Sequence, residues 1–148
     1  MSRAANVLLI DDNRMDIELT LDAFQQVRLS NKVHVVTSGD AALDYLFGRG
    51  QYADRREYPL PDLILLDLKM PGTDGFEVLR QVKSTPPIKM LPVVVLTSSR
   101  EDGDRIMSYN IGANSYLVKP VKFGDFVEVV RKIDDYWLTL NLGPPLDN

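Results

Sequence analysis

The sequence predicts an α/β fold in which helices cover both faces of a five-stranded, doubly wound parallel sheet. Strand-like and helix-like segments alternate five times along the chain, as such a fold requires. The strand-like segments are short, continuous apolar runs, which is typical of parallel strands buried on both faces. Four of these runs end in acidic, hydroxyl or basic residues, and the carboxyl ends of parallel strands are where such sheets bind ligands.

Apolar runs bounded by polar or turn residues predict the strands. They lie at residues 6–10, 33–36, 62–66, 92–96 and 115–118. His34, the only histidine, falls in the second run, so we expect an ordinary strand residue packed at the sheet. Right-handed crossovers through the intervening helices favour the flavodoxin-like strand order 2-1-3-4-5.

Capping residues and apolar spacing predict the first three helices. Asp12 or Asn13 can cap a helix that runs through residue 27, with an inward face formed by Met15, Leu19, Ala23, Phe24 and Val27. A second helix covers residues 40–47 and ends before Gly48, since glycine tolerates a left-handed C-cap. After a Pro71-Gly72 turn, a third helix presents Phe76, Leu79 and Val82.

Two further helices complete the predicted domain. Ser99 and Asp102 are spaced as a capping box for the fourth helix, and Gly112 marks its end. The fifth runs from residue 125 to about residue 140, with an inward face formed by Phe126, Val130, Ile133 and Trp137. We therefore expect residues 1–148 to form a single domain, with a core at about 6–133 and a C-terminal extension at about 134–148. The charged segment 48–61 is interpreted as a solvated loop.

Composition excludes several classes of function. The chain has 148 residues and no cysteine, so it forms no disulfides and performs no thiolate chemistry. Its apolar runs are far shorter than the roughly 20 residues that a membrane-spanning helix needs, and the N-terminus lacks a signal-peptide core. A net charge of −4 argues against nucleic-acid binding, which requires clustered positive charge. We expect a cytoplasmic protein that binds neither nucleic acid nor membrane.

The polar residues that end four strands predict one site. Asp11 and Asp12 follow the first strand, Asp67 follows the third, Thr97 the fourth and Lys119 the fifth. Because these strand ends share one edge of the sheet, three carboxylates, a hydroxyl and an ammonium group should meet there. This combination fits a divalent metal ion beside a phosphate.

The site residues, together with Met70-Pro71-Gly72 and Pro120, form a pattern that resembles the receiver domains of two-component response regulators, over about residues 6–133. The resemblance implies that a histidine kinase transfers a phosphoryl group to Asp67. It also implies a Mg²⁺ ion held by Asp12, by Asp67 and by the backbone carbonyl of Lys69, with Asp11 holding a metal-bound water.

The same resemblance assigns a switch. Thr97 and Lys119 would contact the phosphoryl oxygens, and Tyr116 occupies the aromatic switch position of the family. A cis peptide before Pro120, as in the family, would aim Lys119 inward. Output would be protein contact, since nothing after the domain has the character of a DNA-binding or catalytic unit.

A narrower resemblance concerns the partners. The long loop 48–61 and the tail that begins at Asp135 look like those of the small single-domain regulators that partner phytochrome-type histidine kinases. The tail carries apolar residues on both sides, and one core cannot bury both sides of a terminal helix. We therefore expect a homodimer through the face formed by the fourth helix, fifth strand and fifth helix, with the tail contributing.

The chemistry of the residues supports the implied roles independently. Phosphoryl transfer depends mostly on positioning and electrostatics, so a carboxylate becomes a usable nucleophile once a metal ion and a cation neutralise the incoming charge. Mg²⁺ often takes one or two carboxylates together with phosphate and water. Asp12 and Asp67 can supply the two carboxylates. Lys119 offers a point charge, and the Thr97 hydroxyl donates only after it rotates toward the phosphoryl group.

Several alternatives stay open at this stage. Asp11-Asp12 is also a common helix cap, Thr97-Ser98-Ser99 a common helix start, and Tyr116 a plausible half-buried strand residue. A Mg²⁺-dependent phosphohydrolase with an aspartyl nucleophile usually carries a second acid two residues later, where this chain has Lys69. A flavin or nucleotide carrier would need amide and hydroxyl donors in its first loop, which is acidic here.

Overall fold

A computed structural model describes residues 4–28 and 31–146 and contains the predicted parallel sheet. The strands are β1 (Asn6–Ile10), β2 (Lys32–Val36), β3 (Leu63–Leu66), β4 (Val93–Thr97) and β5 (Ser115–Val118). Their order is β2-β1-β3-β4-β5, and every neighbouring pair is parallel. The predicted fold class and strand order are confirmed.

Helices pack on both faces of the sheet. They are α1 (Arg14–Val27), α2 (Gly39–Phe47), α3 (Gly75–Ser84), α4 (Asp102–Ile111) and α5 (Phe123–Asp135). Alternate residues of β1 point to opposite faces, so Leu8 and Ile10 pack with α2 and α3, whereas Val7 and Leu9 pack with α1 and α5. Burial on both faces explains why the central strands β1, β3 and β4 have continuous apolar sequences, whereas the edge strands β2 and β5 are mostly half-buried.

The buried face of α1 includes the predicted Ala23 and Phe24 but not the predicted Met15. Met15 is 71% exposed, and the buried residues are Ile17, Thr20, Ala23 and Phe24. Thr20 is tolerated in the core because its hydroxyl donates to the carbonyl of Asp16 at 2.7 Å. The predicted cap is confirmed, since the Asn13 side chain accepts a hydrogen bond from the amide of Asp16.

The predicted capping box of α4 is wrong. Helix α4 begins at Asp102 after Glu101, which makes no side-chain capping hydrogen bond. The Ser99 hydroxyl instead donates to the Asp104 carboxylate, so Ser99 lies in the loop that precedes the helix. The predicted end at Gly112 is confirmed, with a positive φ of 131° at that glycine.

Segment 48–61 is more than a solvated loop. The Arg55 guanidinium is half-buried and donates to the backbone carbonyls of Tyr45, Leu46 and Tyr58. Tyr52 packs its ring against Tyr45 and Tyr58 at centroid distances of 5.2 and 5.0 Å. Arg55 therefore satisfies carbonyls at the end of α2, and the aromatic rings hold the loop against the core.

The C-terminal segment folds back on the domain. After α5, a π-helical turn covers Tyr136–Leu140, in which Trp137 packs against the core, as predicted. Just before it, both oxygens of the buried Asp134 carboxylate share the Arg28 Nε–H at 3.0 Å, and one of them also accepts from Asn31 at 2.8 Å. This network ties the end of α5 to the end of α1. Across the described ranges, none of the helices is both long and apolar enough to span a membrane.

Candidate functional site

Three carboxylates meet at the carboxyl edge of the sheet. Asp11 and Asp67 are buried, Asp12 is exposed, and their ligand oxygens lie within 4.8 Å of one another. Backbone hydrogen bonds fix this arrangement, because the Asp11 amide donates to Val36 at 3.2 Å and the Asp67 amide donates to Ile10 at 2.9 Å. The hydrogen bonding between parallel strands thus continues one residue beyond β1 and β3, and it fixes the positions of Asp11 and Asp67.

Close packing by α3 also positions Asp67. A β-carbon at Gly75 would overlap the carbonyl oxygen of Asp67, so only glycine allows the helix to begin there. The Gly75 amide donates to the Leu68 carbonyl at 3.0 Å, and the Asp74 side chain caps the helix. The Pro71-Gly72 turn therefore returns the chain directly beneath the acidic cluster.

Lys119 reaches into the acidic cluster from the end of β5. Its amide donates to the Thr97 carbonyl at 2.8 Å. Its Nζ lies 2.7 Å from Asp11, 2.9 Å from Asp16 and 3.3 Å from Asp67. Within the described part of the chain, the one cis peptide joins Pro86 to Pro87, so the Lys119-Pro120 peptide is trans and Lys119 points inward without the cis bond that the resemblance implies.

Burial and ion pairing act against each other at this cluster. Burial disfavours the charged Lys119 ammonium, but its contacts with Asp11 and Asp16 and the charge of Asp67 outweigh that cost and raise its pKa to about 12. Burial raises the pKa of Asp11, and the hydrogen bonds from Lys119 and from the Asn13 amide only partly oppose this shift. The charged Lys119 therefore holds the carboxylates of the cluster close together through its ion pairs.

Asp16 belongs to this cluster, although sequence reasoning did not identify it. Its carboxylate contacts Lys119, and it lines the same cleft as Asp12, Asp67 and Thr97. The usable signal was spacing, because Asp12 and Asp16 are four residues apart and the helix begins between them. The cleft thus contains a fourth carboxylate.

Thr97 lies at the end of β4 beside the cluster. Its side chain is buried, and its hydroxyl oxygen accepts a long hydrogen bond of 3.4 Å from the Ser99 amide. Thr97, Ser98 and Lys69 line the cleft together with Asp12 and Asp67. The structure therefore brings the predicted strand-end residues into one place.

Tyr116 and Lys69 meet a second polar cluster next to the site. The Tyr116 hydroxyl donates to the Ser99 carbonyl at 3.0 Å, and Lys69 Nζ lies 3.1 Å from the Asp104 carboxylate. Hydrogen bonds from Ser99 and Lys69 lower the pKa of Asp104. The Lys69 side chain thus points toward α4, and a role for its backbone carbonyl as a ligand stays a prediction.

His34 lies away from the cleft, as predicted. It is half-buried in β2 and packs against Tyr45 at a centroid distance of 5.8 Å. Burial lowers the pKa of His34, and the charge of Lys32 lowers it further. These features fit a neutral strand residue.

The donors of the acidic cluster suit a divalent cation. Oxygen is the only ligand type that Asp11, Asp12 and Asp67 offer, and hard cations such as Mg²⁺ prefer oxygen. Lys119 neutralises part of their charge, yet it contacts three carboxylates, those of Asp11, Asp16 and Asp67, and Asp12 adds a fourth negative charge to the cluster. The residues present therefore fit a divalent metal ion.

Comparison with known proteins adds an independent finding. The chain matches the response regulator receiver domain over residues 7–131. The probable methanogenesis regulatory protein FilR2 of Methanothrix harundinacea is 38% identical over 138 residues, which span 93% of this chain and 86% of that protein.

Two solved structures resemble the whole domain. The phosphorylated cyanobacterial phytochrome response regulator RcpA aligns with a TM-score of 0.89 at 36% identity, covering 95% of this chain and 99% of RcpA. The Mn²⁺-bound form of Rcp1, a response regulator of Synechocystis sp., aligns with a TM-score of 0.84 at 35% identity over the same shares.

Proposed function

Because the chain belongs to the response regulator receiver domain family, we propose that it relays a signal by accepting a phosphoryl group from a histidine kinase on Asp67. The observation that carries this proposal is the position of the Asp67 carboxylate. It lies 3.3 Å from Lys119 and within 4.8 Å of the ligand oxygens of Asp11 and Asp12. A nucleophile placed between a cation and a metal-binding pair suits phosphoryl transfer.

In the proposed step, an oxygen of Asp67 attacks the phosphorus atom of a phosphohistidine. The P–N bond breaks, its electron pair returns to the imidazole nitrogen, and an acyl phosphate forms on Asp67. Lys119 would then place its charge on a phosphoryl oxygen. The protein would catalyse its own phosphorylation and later hydrolysis, and no other reaction.

Mg²⁺ is the proposed metal. Asp12 and Asp67 would ligate it directly, the Lys69 carbonyl would complete the protein ligands, and Asp11 would hold a metal-bound water. When bound, the ion neutralises charge on the phosphoryl oxygens. The acidity of the cleft and its oxygen-only donors support this assignment.

The proposed switch uses Thr97 and Tyr116. The Thr97 hydroxyl has only a weak partner in this state, so rotation toward a phosphoryl oxygen would cost little. That rotation would empty space beside β5 and allow the Tyr116 ring to move inward from its contact with Ser99. The surface of α4 and β5 would then present a different shape to a partner.

The proposed upstream partner is a phytochrome-type histidine kinase in the cytoplasm. Support comes from RcpA, a cyanobacterial phytochrome response regulator that resembles this chain over nearly all of its length. Residues 1–148 would act as a single receiver domain, with the C-terminal extension as part of its contact surface.

A homodimer is the proposed output form. Exposed apolar side chains lie on α4 (Ile106, Met107 and Tyr109) and on the C-terminal segment (Tyr136, Leu140 and Leu142). Apolar surface of this kind is typical of a protein contact, and a symmetric dimer would bury the same patch on both copies. Phosphorylation would strengthen or reorient the contact through Thr97 and Tyr116.

The phosphohydrolase alternative is not favoured. The chain belongs to the receiver family, and Lys69 occupies the position where such hydrolases usually carry their second acid. Moreover, the Lys69 side chain forms an ion pair with Asp104 of α4.

Incubation with radiolabelled acetyl phosphate tests the proposed function. We expect stoichiometric labelling in millimolar Mg²⁺ and none when EDTA removes the metal. A purified phytochrome-type kinase from the same genome should label the protein faster than other histidine kinases do. Absence of labelling from every donor would contradict the proposal.

A further inference from the structure

The Lys119 ammonium has its three hydrogen-bond donors shared among three carboxylates. Asp11 and Asp67, two of these partners, belong to the acidic cluster described above, and the third is Asp16 of α1. An ammonium has no further N–H to donate. A phosphoryl oxygen on Asp67 can therefore receive a strong hydrogen bond from Lys119 only if one carboxylate releases it.

Asp16 is the partner best placed to release the lysine. The Asp11 side chain is 1% exposed, so its carboxylate would lose its charge partner in a buried site. The Asp16 side chain is 26% exposed at the rim of the cleft, where water can take over its hydrogen bonds. Of the two partners that are not themselves phosphorylated, Asp16 is thus the one whose contact with Lys119 costs less to break.

The side chain of Asp16 has no other recorded partner among the described residues. Its amide donates to the Asn13 side chain and its carbonyl accepts from Thr20, so both of these contacts use the backbone alone. A charge in the first turn of a helix is favourable, but that effect does not require contact with Lys119. The 2.9 Å contact therefore points to a role in the site.

We propose that Asp16 is a positioning residue for phosphoryl transfer, which holds Lys119 while Asp67 is unphosphorylated and yields it to the phosphoryl group. This inference rests on the proposed function of Asp67. The carboxylate of Asp16 also adds negative charge at the entrance of the cleft, where it opposes an approaching phosphate dianion. Both effects slow phosphorylation of the resting protein.

Asp16→Asn removes the charge but keeps an oxygen that can accept a hydrogen bond. At saturating Mg²⁺ we expect acetyl phosphate to label this variant roughly threefold to tenfold faster than the wild type, a range that corresponds to one weakened charge interaction near the surface. Asp22→Asn is the matched control, because Asp22 is an exposed acid of the same helix and the substitution changes net charge equally. The control should label at the wild-type rate.

A measurement on metal-free protein separates positioning from a merely structural role. The nitrogen NMR signal of the Lys119 ammonium should shift in Asp16→Asn and stay unchanged in Asp22→Asn. A structural role would lower the melting temperature of Asp16→Asn without an increase in the labelling rate.

The possible outcomes distinguish a failure of the role of Asp16 from a failure of the proposed function of Asp67. A wild-type protein that no donor labels would overturn both. Normal labelling of the wild type, with Asp16→Asn no faster than Asp22→Asn, would overturn the role of Asp16 alone. An unchanged Lys119 signal in Asp16→Asn would also overturn it, because the contact would then be absent in solution.

Discussion

Asp104 of α4 accepts a hydrogen bond from Ser99, with 2.6 Å between the carboxylate and hydroxyl oxygens. The same carboxylate lies 3.1 Å from Lys69 Nζ, and the Ser99 carbonyl accepts the hydroxyl of Tyr116. Ser99 thus joins the loop after β3, the start of α4 and the middle of β5. The Ser99 amide also donates to Thr97, so hydrogen bonds through Ser99 connect Thr97 with all three elements.

Thr97→Ala tests this connection. The variant keeps Asp67, Asp12 and Lys119, so beryllofluoride, a phosphoryl mimic, should still bind in the presence of Mg²⁺. It lacks the hydroxyl that would rotate toward the mimic. We expect beryllofluoride to shift the amide NMR signals of α4 and β5 in the wild type and to leave most of them unshifted in Thr97→Ala.

Thr97→Ser is the matched control, because it restores the hydroxyl without the methyl group. It should recover most of the wild-type shifts. Equal shifts of α4 and β5 in Thr97→Ala and the wild type would show that the switch does not run through Thr97.

Mg²⁺ should stabilise the folded protein. Asp11, Asp12 and Asp67 repel one another without a metal ion, and a ligand that binds only the native state stabilises it by about 2.7 kcal/mol at 100 times its dissociation constant. Differential scanning fluorimetry should therefore show a melting temperature that rises with Mg²⁺. Asp12→Asn should lose most of that rise, and the remote variant Asp22→Asn should keep it. An equal rise in all three proteins would place the ion elsewhere.

Stability should fall at alkaline pH partly because of Tyr45. Burial raises the pKa of Tyr45 to about 12, above the ordinary value of 10.0, and its hydroxyl donates to the Pro59 carbonyl. At a pH between these two pKa values, the unfolded chain loses the phenolic proton of Tyr45 while the folded protein keeps it. Raising the pH through this window therefore favours unfolding.

Tyr45→Phe removes both the titration and the hydrogen bond. At neutral pH we expect the variant to be about 1 kcal/mol less stable, the usual contribution of one hydrogen bond. Above pH 10 its deficit should shrink, because it lacks this ionisation. Urea unfolding of both proteins from pH 7 to 11.5 measures the difference. A deficit that stays constant across that range would contradict the buried state of the Tyr45 phenol.

The proposed dimer depends on exposed apolar side chains of the C-terminal segment. Leu140 and Leu142 are 72% and 93% exposed, whereas Trp137 packs on the core and Asp134 pairs with Arg28. Substitution of both leucines by serine should therefore weaken association without unfolding the domain. Truncation after residue 133 would also remove the buried Asp134, so a loss of association could not be separated from a loss of stability.

Light scattering at high micromolar concentration, with and without beryllofluoride, measures the association. We expect the wild type to dimerise, more strongly with the mimic, and the double serine variant to dissociate at least tenfold more readily, as expected for the loss of more than 1.4 kcal/mol of apolar contact. A wild type that stays monomeric in both states would leave this surface to a different partner.

Much of the fold and site could be predicted because local chemistry determines them. The central strands were visible as apolar runs since both of their faces are buried, and Asp67 and Lys119 were identified because each follows an apolar run. Asp16 and Asp104 were missed because both reach the site from helices. Where a helical carboxylate points depends on how its helix packs, so the four-residue spacing of Asp12 and Asp16 was a weaker signal than the end of a strand.

Other errors also arose where packing overrides local pattern. Met15 and Ile17 are both apolar, and the orientation of α1 against the sheet exposes the first and buries the second. Arg55 looked like a solvated charge because loops have no periodicity, yet the carbonyls at the end of α2 bind its guanidinium. The loop brings Arg55 to these carbonyls only in the folded chain, so the sequence did not reveal them as its partners.

Intact-mass spectrometry after treatment with acetyl phosphate and Mg²⁺ tests the central claim most directly. The wild type should gain one phosphoryl group, and Asp67→Asn should gain none while retaining a cooperative melting transition, since asparagine fills nearly the same volume. Asp22→Asn should behave as the wild type. A stoichiometric gain of one phosphoryl group in Asp67→Asn would contradict the assignment of Asp67 as the acceptor.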